Sequence, residues 1–233
     1  MPACWIVIPA AGSGSRMGAE KPKQYLTIGD DTLLSLTLTR MASVPHVQGM
    51  MIALAAADDY WSAISKPTHS RIETTVGGHE RCVSVYNAVR AVVALEPTAW
   101  VLVHDAARPC VRVSDIVNLR EQVHAKKAVG GLLASPMSDT VKASDADGYS
   151  MGTTDRSHLW RALTPQYFPA KFLLDALTNA INAQRMPTDE AQAIEWQGSK
   201  PLLVAGAVDN IKVTHPQDRS LAAFILQQQV LSL

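Results

Sequence analysis

Short apolar runs alternate along the chain with longer segments in which apolar residues recur every three or four positions. Apolar runs of this length are typical of strands buried on both faces. We predict strands at Cys4–Pro9, Met50–Ala55, Ile72–Val76, Trp100–His104, Gly130–Ser135, Leu202–Ala205 and Asn210–Val213. Because strands of this kind are found mainly in parallel sheets covered by helices, the pattern favours an α/β architecture.

The segments between these strands have the spacing of amphipathic helices. In the first of them Leu34, Leu38 and Met41 fall on one face, as expected for a helix packed on a sheet. We predict helices at Thr32–Ala42, Glu80–Leu95, Ser114–Lys127, Thr188–Trp196 and from Pro216 to the end of the chain. Ser114 and Thr188 are the expected N-caps. The fold class predicted is a three-layer α/β sandwich around a mostly parallel, Rossmann-like sheet.

One polar segment, residues 136–161, interrupts the alternation. It has Asp147-Gly148 at its centre with β-branched residues on either side, which is typical of a β-hairpin. An isolated hairpin buries too little to be stable by itself, so this β-arm would need a surface to lie against, such as a second subunit. A mobile surface excursion is the alternative. We treat residues 1–233 as a single domain that contains the arm.

Composition narrows the function classes. The 233 residues carry 21 Lys+Arg against 21 Asp+Glu, so the net charge is zero and no basic block indicates a nucleic-acid binder. Uncharged apolar stretches are too short to span a membrane. The three cysteines form no Cys-x-x-Cys pair, which argues against a disulfide framework or a zinc site. We expect a cytoplasmic protein with no nucleic-acid or membrane partner.

Candidate chemistry begins directly after the first predicted strand. The segment Ile8–Gly18 is rich in small residues and contains three glycines, so its backbone amides could approach a phosphate closely. It matches neither the Walker loop nor the dinucleotide-binding fingerprint. Arg16, Lys21 and Lys23 follow within eight positions and would offset the charge of a polyphosphate. The alternative is a glycine-rich turn with solvated basic residues.

Further polar residues follow other predicted strands. Asp105 lies just after an apolar run, at the sheet edge where open α/β proteins bind ligands. Asp209 and Lys212 flank a second short run, and Gly77-Gly78 precedes a helix. Asp105 and Asp209 could together hold Mg²⁺ among phosphate oxygens. A turn-capping role for Asp105 is equally compatible with the sequence.

Several motifs, in this order, resemble those of the 2-C-methyl-D-erythritol 4-phosphate cytidylyltransferases of the non-mevalonate isoprenoid pathway. The matching stretches are PAAGSGSRMG, KPKQY, GGHERCVSV, VLVHDAARP, SDTVK, TTDR, LTPQ, TDEAQAIE and DNIKVT. The resemblance implies an enzyme that transfers CMP from CTP to the phosphate of methylerythritol phosphate with Mg²⁺ and releases pyrophosphate. It also implies a homodimer in which the β-arm clasps the partner.

The same resemblance suggests roles for individual residues. Arg16 and Lys23 match the pair that stabilises the transition state. Arg156 and Lys212 match the pair that positions the methylerythritol phosphate, together with Thr140, Thr164 and Thr188. The positions expected at the nucleotide are Pro9, Ala10, Ala11, Gly12, Gly78, His79, Ser84, Asp105 and Ala106. In this family Thr140 and Arg156 lie on the arm and serve the partner's site.

Other interpretations stay open from the sequence. Thr188 could be only a helix cap, Thr164-Pro165 only a turn, and Arg156 only a solvated hairpin charge. His79 departs from the family pattern, so a role for its side chain is doubtful. The sister ribitol 5-phosphate cytidylyltransferases share the chemistry, but their loop tends to read Ala-Gly-Gly where this one reads Ala10-Ala11-Gly12. A sugar 1-phosphate nucleotidyltransferase and a non-catalytic nucleotide-binding module are further alternatives.

Overall fold

The computed structural model describes residues 2–12 and 21–231. The helices are α1 Leu33–Ala42, α2 Arg81–Leu95, α3 Val113–Ala125, α4 Ala170–Asn182, α5 Glu190–Glu195 and α6 Pro216–Leu231, with short 3-10 turns at Lys23–Tyr25 and Trp61–Ala63. The strands are β1 Cys4–Pro9, β2 Thr27–Ile28, β3 Asp31–Thr32, β4 Gly49–Leu54, β5 Ile72–Val76, β6 Trp100–Val103, β7 Gly131–Pro136, β8 Val141–Ser144, β9 Ser150–Thr154, β10 Trp160–Pro169 and β11 Leu202–Ala205.

A seven-stranded sheet in the order β11-β7-β10-β6-β1-β4-β5 forms the centre of the molecule. Its strands pair in parallel except β10, which is antiparallel to both β6 and β7. The carboxyl ends of β1, β4, β5 and β6 therefore meet at one edge of the sheet, where the loops that follow them can form a common site.

Helices cover both faces of this sheet. One apolar cluster joins the sheet to α1 and α3 through residues such as Leu38 and Leu119, and a second joins the opposite face to α2 and α4 through Val89 and Leu173. All four side chains are fully buried. The predicted three-layer α/β sandwich is confirmed. None of the helices in the described ranges is long and apolar enough to cross a bilayer.

Local signals placed most element boundaries to within two residues. Thr32, predicted as the first helical residue, is the N-cap of α1, since its side chain accepts a hydrogen bond from the backbone N–H of Ser35 at 3.1 Å. The cap of α5 is Asp189 and not Thr188, because the Asp189 carboxylate accepts from the Gln192 N–H at 2.9 Å. Ser114 is also not a cap, since α3 begins one residue earlier, at Val113.

Two sequence-based predictions need correction in the second half of the chain. Residues 210–213 do not form a strand: the Val213 N–H donates to the Ala107 carbonyl, but no ladder continues from that bond. The segment from Trp160 to Asn182, for which we predicted no element, contains β10 and α4. Its two prolines argue against a central strand in the sequence. The structure accommodates Pro165 because it lies where the pairing with β7 shifts register between Ala162 and Gln166.

The predicted hairpin is present as a separate two-stranded sheet of β8 and β9, between the ends of β7 and β10. Its turn is closed by Asp145, whose Oδ1 accepts hydrogen bonds from the Asp147 and Tyr149 N–H groups. Gly148 follows with φ +87°, a conformation that side chains disfavour. Tyr149 and Met151 are more than 70% exposed, so this chain alone leaves the arm's apolar side chains uncovered.

Candidate active site

A cavity of about 400 Å³ opens at the carboxyl edge of the sheet, above the ends of β1 and β6. Its walls come from four loops that follow strands and from the short 3-10 turn at Lys23. The lining residues are Pro9, Ala10, Ala11, Gly12, Lys23, Gln24, Gly78, His79, Glu80, Arg81, Ser84, Asp105, Ala106, Ala107 and Lys212. Most of them belong to the segments from which the sequence predicted chemistry.

The loop after β1 is held in place by its backbone. The Ala10 N–H donates to the Ala53 carbonyl at 2.8 Å, which extends the pairing with β4 by one residue. The Ala10 carbonyl in turn accepts from the buried Gln24 amide at 2.7 Å. Tyr25, also buried, donates its hydroxyl to Asp58 at 2.7 Å. Gln24 and Tyr25 thereby anchor the turn that presents Lys23 to the cavity.

Close packing explains the two glycines before α2. A Cβ at Gly77 would lie 2.4 Å from the Ala11 Cβ, and one at Gly78 would lie 2.3 Å from a Val83 methyl. The loop is further fixed by Ser84, whose hydroxyl accepts from the Gly78 N–H at 3.0 Å. The absence of side chains therefore lets this loop close directly against the loop that follows β1.

Asp105 is the electrostatic centre of the cavity. Its Oδ1 accepts from the Arg81 Nε at 3.0 Å, and its Oδ2 lies 2.9 Å from the Lys212 Nζ and 3.2 Å from the Arg108 Nε. Burial acts to raise the pKa of Asp105, but Arg81, Lys212 and Arg108 outweigh it and hold the pKa well below its usual range. The carboxylate is thus charged at neutral pH and surrounded by cations.

Arg81, the first residue of α2, also reaches a second acid. Its two terminal nitrogens donate to the carboxylate oxygens of Glu190 at 2.6 and 3.3 Å. Glu190 opens α5 and is 1% exposed, so it lies behind Arg81 rather than on the cavity wall. Burial raises the pKa of Glu190, and the attraction of Arg81 offsets that rise only in part.

His104 and Thr164 support Asp105 from below. The His104 Nε2 lies 3.0 Å from the Arg108 carbonyl and therefore donates to it, which leaves Nδ1 to accept from the Thr164 hydroxyl at 2.9 Å. That hydroxyl accepts in turn from the Asp105 N–H at 3.2 Å. Burial lowers the pKa of His104 to about 4, so the ring is neutral at physiological pH. Both ring nitrogens form hydrogen bonds within the protein, so the role of the ring is structural.

The residues predicted for the site fall into three groups. Those that line the cavity are Pro9, Ala10, Ala11, Gly12, Lys23, Gly78, His79, Ser84, Asp105, Ala106 and Lys212. Those placed elsewhere in the chain are Thr140 and Arg156, both exposed on the arm, Thr164, buried beneath Asp105, Thr188, exposed beside α5, and Asp209. Arg16, predicted to stabilise the transition state, lies outside the described residues.

The predicted Asp105–Asp209 pair for Mg²⁺ is not brought together at the cavity wall. Asp209 pairs with Arg112 at 2.6 Å, and its Oδ1 is buried without a hydrogen-bond partner. Within the described ranges, no cluster of three or more His, Cys, Asp or Glu side chains could hold a metal by itself. Asp105 fits a single carboxylate ligand beside a metal carried by a polyphosphate, which is the usual form of protein Mg²⁺ sites.

Sequence reasoning missed three charged members of the site. Arg81 and Glu190 lie within the motifs GGHERCVSV and TDEAQAIE, and Arg108 follows Asp105 by three residues. None of them had an assigned role. The contacts of Arg81 with Asp105 and Glu190 join positions 24 and 109 residues apart, so spacing along the chain does not indicate them. Arg81 carried one usable signal, its place three residues after Gly77-Gly78 at the start of a predicted helix.

Taken together, a mostly parallel sheet and a cation-lined cavity at its carboxyl edge define an α/β protein that binds an anionic ligand at the strand ends. The loop after β1 and Lys23 line this cavity at the strand ends, where phosphates bind in such proteins.

Comparison with known proteins identifies the family. Residues 4–228 match the family model for 2-C-methyl-D-erythritol 4-phosphate cytidylyltransferase (IspD). A protein of that name from Tolumonas auensis is 50% identical over 225 residues, which cover 97% of each chain. One from Shewanella frigidimarina is 48% identical and 96% covered in both directions. This chain belongs to the 2-C-methyl-D-erythritol 4-phosphate cytidylyltransferase family.

Solved structures agree with this assignment. The crystal structure of 2-C-methyl-D-erythritol 4-phosphate cytidylyltransferase from Francisella tularensis superposes with a TM-score of 0.80 at 32% identity, covering 96% of this chain and 99% of that one. The corresponding protein from Thermus thermophilus superposes with a TM-score of 0.78 at 28% identity, covering 97% and 100%.

Proposed function

We propose that this protein transfers CMP from CTP to 2-C-methyl-D-erythritol 4-phosphate, forming 4-diphosphocytidyl-2-C-methyl-D-erythritol and pyrophosphate in isoprenoid precursor biosynthesis. The observation that carries the proposal is the cavity itself. Lys23, Arg81 and Lys212 all line it, together with the loop from Pro9 to Gly12. Membership of the cytidylyltransferase family supports the identity of both substrates.

The reaction places few demands on acid–base chemistry. An oxygen of the substrate phosphate attacks the α-phosphorus of CTP, a new P–O bond forms, and the bond to the β-phosphate oxygen breaks to release pyrophosphate. Since a phosphate monoester is already ionised at neutral pH, no general base is required. His104 is suited to a different task, because it is buried, neutral and hydrogen-bonded through both nitrogens.

The chain's own residues supply positioning and positive charge. Lys23 stabilises charge that accumulates on the transferring phosphoryl group, with Arg16 as its predicted partner. Lys212, held at one side of the cavity by Asp105, orients the attacking phosphate. The backbone of the loop from Pro9 to Gly12 and the close-packed Gly78 loop contact the nucleotide, since both line the cavity.

Mg²⁺ belongs to the proposal as a companion of the triphosphate. When bound, it neutralises phosphate charge and orients the leaving pyrophosphate. Asp105 is the residue that would approach it, since it is ionised and faces the cavity. A cation bound to this carboxylate would compete with its three present ion pairs.

A pyrophosphate-release assay tests the function. With CTP, Mg²⁺ and methylerythritol phosphate we expect turnover, and with ribitol 5-phosphate in place of the second substrate we expect none. Turnover only with ribitol 5-phosphate would replace the acceptor and keep the chemistry. Pyrophosphate release with neither polyol phosphate would refute the enzyme assignment.

We further propose a homodimer in which the arm completes the partner's site. Thr140 and Arg156 are exposed and do not line the cavity of their own chain, and Tyr149 and Met151 offer an uncovered apolar surface beside them. A second copy of this chain would cover that surface and receive both polar residues.

Mixed subunits test this proposal. Arg156→Ala and Lys23→Ala chains should each be nearly inactive. Heterodimers of the two should regain up to half of the activity per site, because one of their two sites contains both residues. Verified heterodimers with no recovered activity would contradict a shared site, as would a fully active monomer.

A further inference from the structure

Glu190 is a buried carboxylate that the proposed reaction does not use. It is 1% exposed and does not line the cavity, so it cannot contact a substrate without rearrangement. A buried charge is retained at a cost in desolvation, which is recovered only when its hydrogen bonds are well formed. Those bonds go to Arg81, which does line the cavity.

The Arg81 guanidinium is shared between two acids, Asp105 in the loop after β6 and Glu190 at the start of α5. One side of its planar fork faces Glu190 through two nitrogens, and its Nε faces the Oδ1 of Asp105 at 3.0 Å. A fork held on one side has a fixed plane, and the direction of its remaining N–H is fixed with it. The rotation of the Asp105 carboxylate is thereby restrained.

Glu190 is itself held rigidly. The N-terminus of α5 is tied to β10 by the buried Gln166, whose amide donates to Asp189 at 2.9 Å and accepts from the Ala191 N–H at 2.7 Å. These two bonds fix the residues before and after Glu190. The series of contacts therefore runs from β10 through Glu190 and Arg81 to Asp105. The Oδ2 of Asp105 in turn lies 2.9 Å from the Lys212 Nζ.

We propose that Glu190 is a positioning residue for the transfer reaction, acting through Arg81 to orient Asp105 and, with it, Lys212. The inference rests on the proposed function, since it assigns Lys212 to the attacking phosphate. If Lys212 is displaced, CTP still binds but the attacking phosphate is misaligned. We therefore expect kcat to decrease while KM for CTP changes little.

Glu190→Gln removes the charge and one of the two acceptors while keeping the side-chain size. We expect kcat for pyrophosphate release to fall at least tenfold, with KM for CTP changed less than threefold. Glu195→Gln, an exposed position at the other end of α5, is the matched control and should leave both constants unchanged. Thermal unfolding of each variant shows whether the fold is retained.

A second substitution tests whether Glu190 acts through Arg81. Arg81→Lys keeps the positive charge but has a single nitrogen, which cannot reach Glu190 and Asp105 in the same geometry. We expect a similar fall in kcat, and the double variant should be slower than the slower single variant by less than threefold. Two independent structural effects would instead multiply.

The outcomes separate the two proposals. Wild-type chain that releases no pyrophosphate refutes the proposed function. Active wild type together with normal kcat for a folded Glu190→Gln variant refutes the positioning role alone, as do multiplicative effects in the double variant. If Glu190→Gln does not fold, Arg81→Lys decides: a normal kcat there overturns the inference, and a tenfold loss with unchanged KM for CTP supports it.

Discussion

At the scale of single residues, the position of Asp105 after a strand determines where it lies but not its charge state. The apolar run of β6 places the residue after it at the carboxyl edge of the sheet, so its location follows from the sequence. Its charge state depends on Arg108, three residues further along the same loop, and on Arg81 and Lys212, which come from two distant parts of the chain. The sequence predicts the carboxylate and Lys212, but not Arg81 and Arg108.

The buried His104 makes stability depend on pH. Its pKa is about 4 in the folded chain against 6.5 for an unperturbed imidazole, so below pH 6.5 the unfolded chain takes up a proton that the folded chain excludes. The free energy of unfolding therefore decreases as the pH falls from 7 toward 4, and His104 contributes about 2 kcal/mol of that decrease between pH 7 and 5.

Urea unfolding at both pH values measures this contribution. His104→Gln should lower stability at pH 7, because the ring's two hydrogen bonds are disturbed, and should lose about 2 kcal/mol of the pH dependence. His158→Gln, an exposed change on the arm, should keep the wild-type dependence. An unchanged pH dependence in His104→Gln would show that another group is responsible.

Site residues differed in how far the sequence could predict them. Lys23 and Gly78 belong to motifs in which the residue type has a physical reason: positive charge for Lys23 and close backbone packing for Gly78. Both residues line the cavity. Thr164 was predicted to line the substrate pocket, but its hydroxyl is engaged with His104 and Asp105. A buried hydroxyl can bind a ligand or a neighbouring chain segment, and the sequence alone does not distinguish the two.

Among the secondary-structure elements, α5 shows how the start of a short helix is determined. Thr188, Asp189 and Glu190 are three successive polar residues, and the first two are good caps by type. The structure selects Asp189, whose carboxylate also accepts from the buried Gln166. Tertiary contact with β10 thus decides between two caps that local preference leaves nearly equal.

Alanine substitutions distinguish the two positions. Asp189→Ala should reduce the free energy of unfolding by about 1–2 kcal/mol, because it removes the cap and leaves a Gln166 donor unpaired. Thr188→Ala should change it by less than about 0.5 kcal/mol, since Thr188 is an exposed surface residue. Denaturant unfolding gives both values, and equal losses would contradict the assignment of the cap.

The same pair of variants tests the predicted contact of Thr188 with the methylerythritol phosphate. If Thr188 touches that substrate, Thr188→Ala raises its KM severalfold while stability stays near the wild-type value. A normal KM would leave Thr188 with no role at the site.

Most elements could be predicted because buried parallel strands and amphipathic helices have strong periodic signals. β10 had none: it is ten residues long, contains Pro165 and ends at Pro169, and its pairing shifts register near the first proline. Residues 210–213 had the apolar pattern of a strand. Instead, the Asn210 side-chain amide donates a hydrogen bond to the Thr164 carbonyl, and the segment does not join the sheet. Pairing partners decided both cases.

For the molecule as a whole, the net charge of zero conceals an uneven distribution. Cations gather at the carboxyl edge of the sheet, around Asp105. Lys126 and Lys127 follow α3 and are exposed at the opposite edge, because α3 leads back to the start of β7. A neutral protein has no long-range field to attract CTP, so binding depends on the local cations.

Charge removal at the two edges should therefore have unequal effects. The double substitution Lys126→Gln and Lys127→Gln should change kcat/KM less than twofold at low salt, because screening and distance weaken its influence. Lys212→Gln, which removes half as much charge, should lower kcat/KM at least tenfold. A large effect of the distant pair would indicate steering by the overall field.

Strand β10 gives the protein a direct mechanical connection between its outermost and its most buried parts. It starts at Trp160, beside the arm, and passes Thr164 under Asp105 and Gln166 under α5 before it ends in the core. β10 pairs with β7 at Trp160–Ala162 and with both β6 and β7 at Gln166 and Tyr167, so we expect displacement of the arm to shift the residues that support the ion pairs. A compound that displaced the arm would thereby alter the geometry of the reaction centre without entering the cavity.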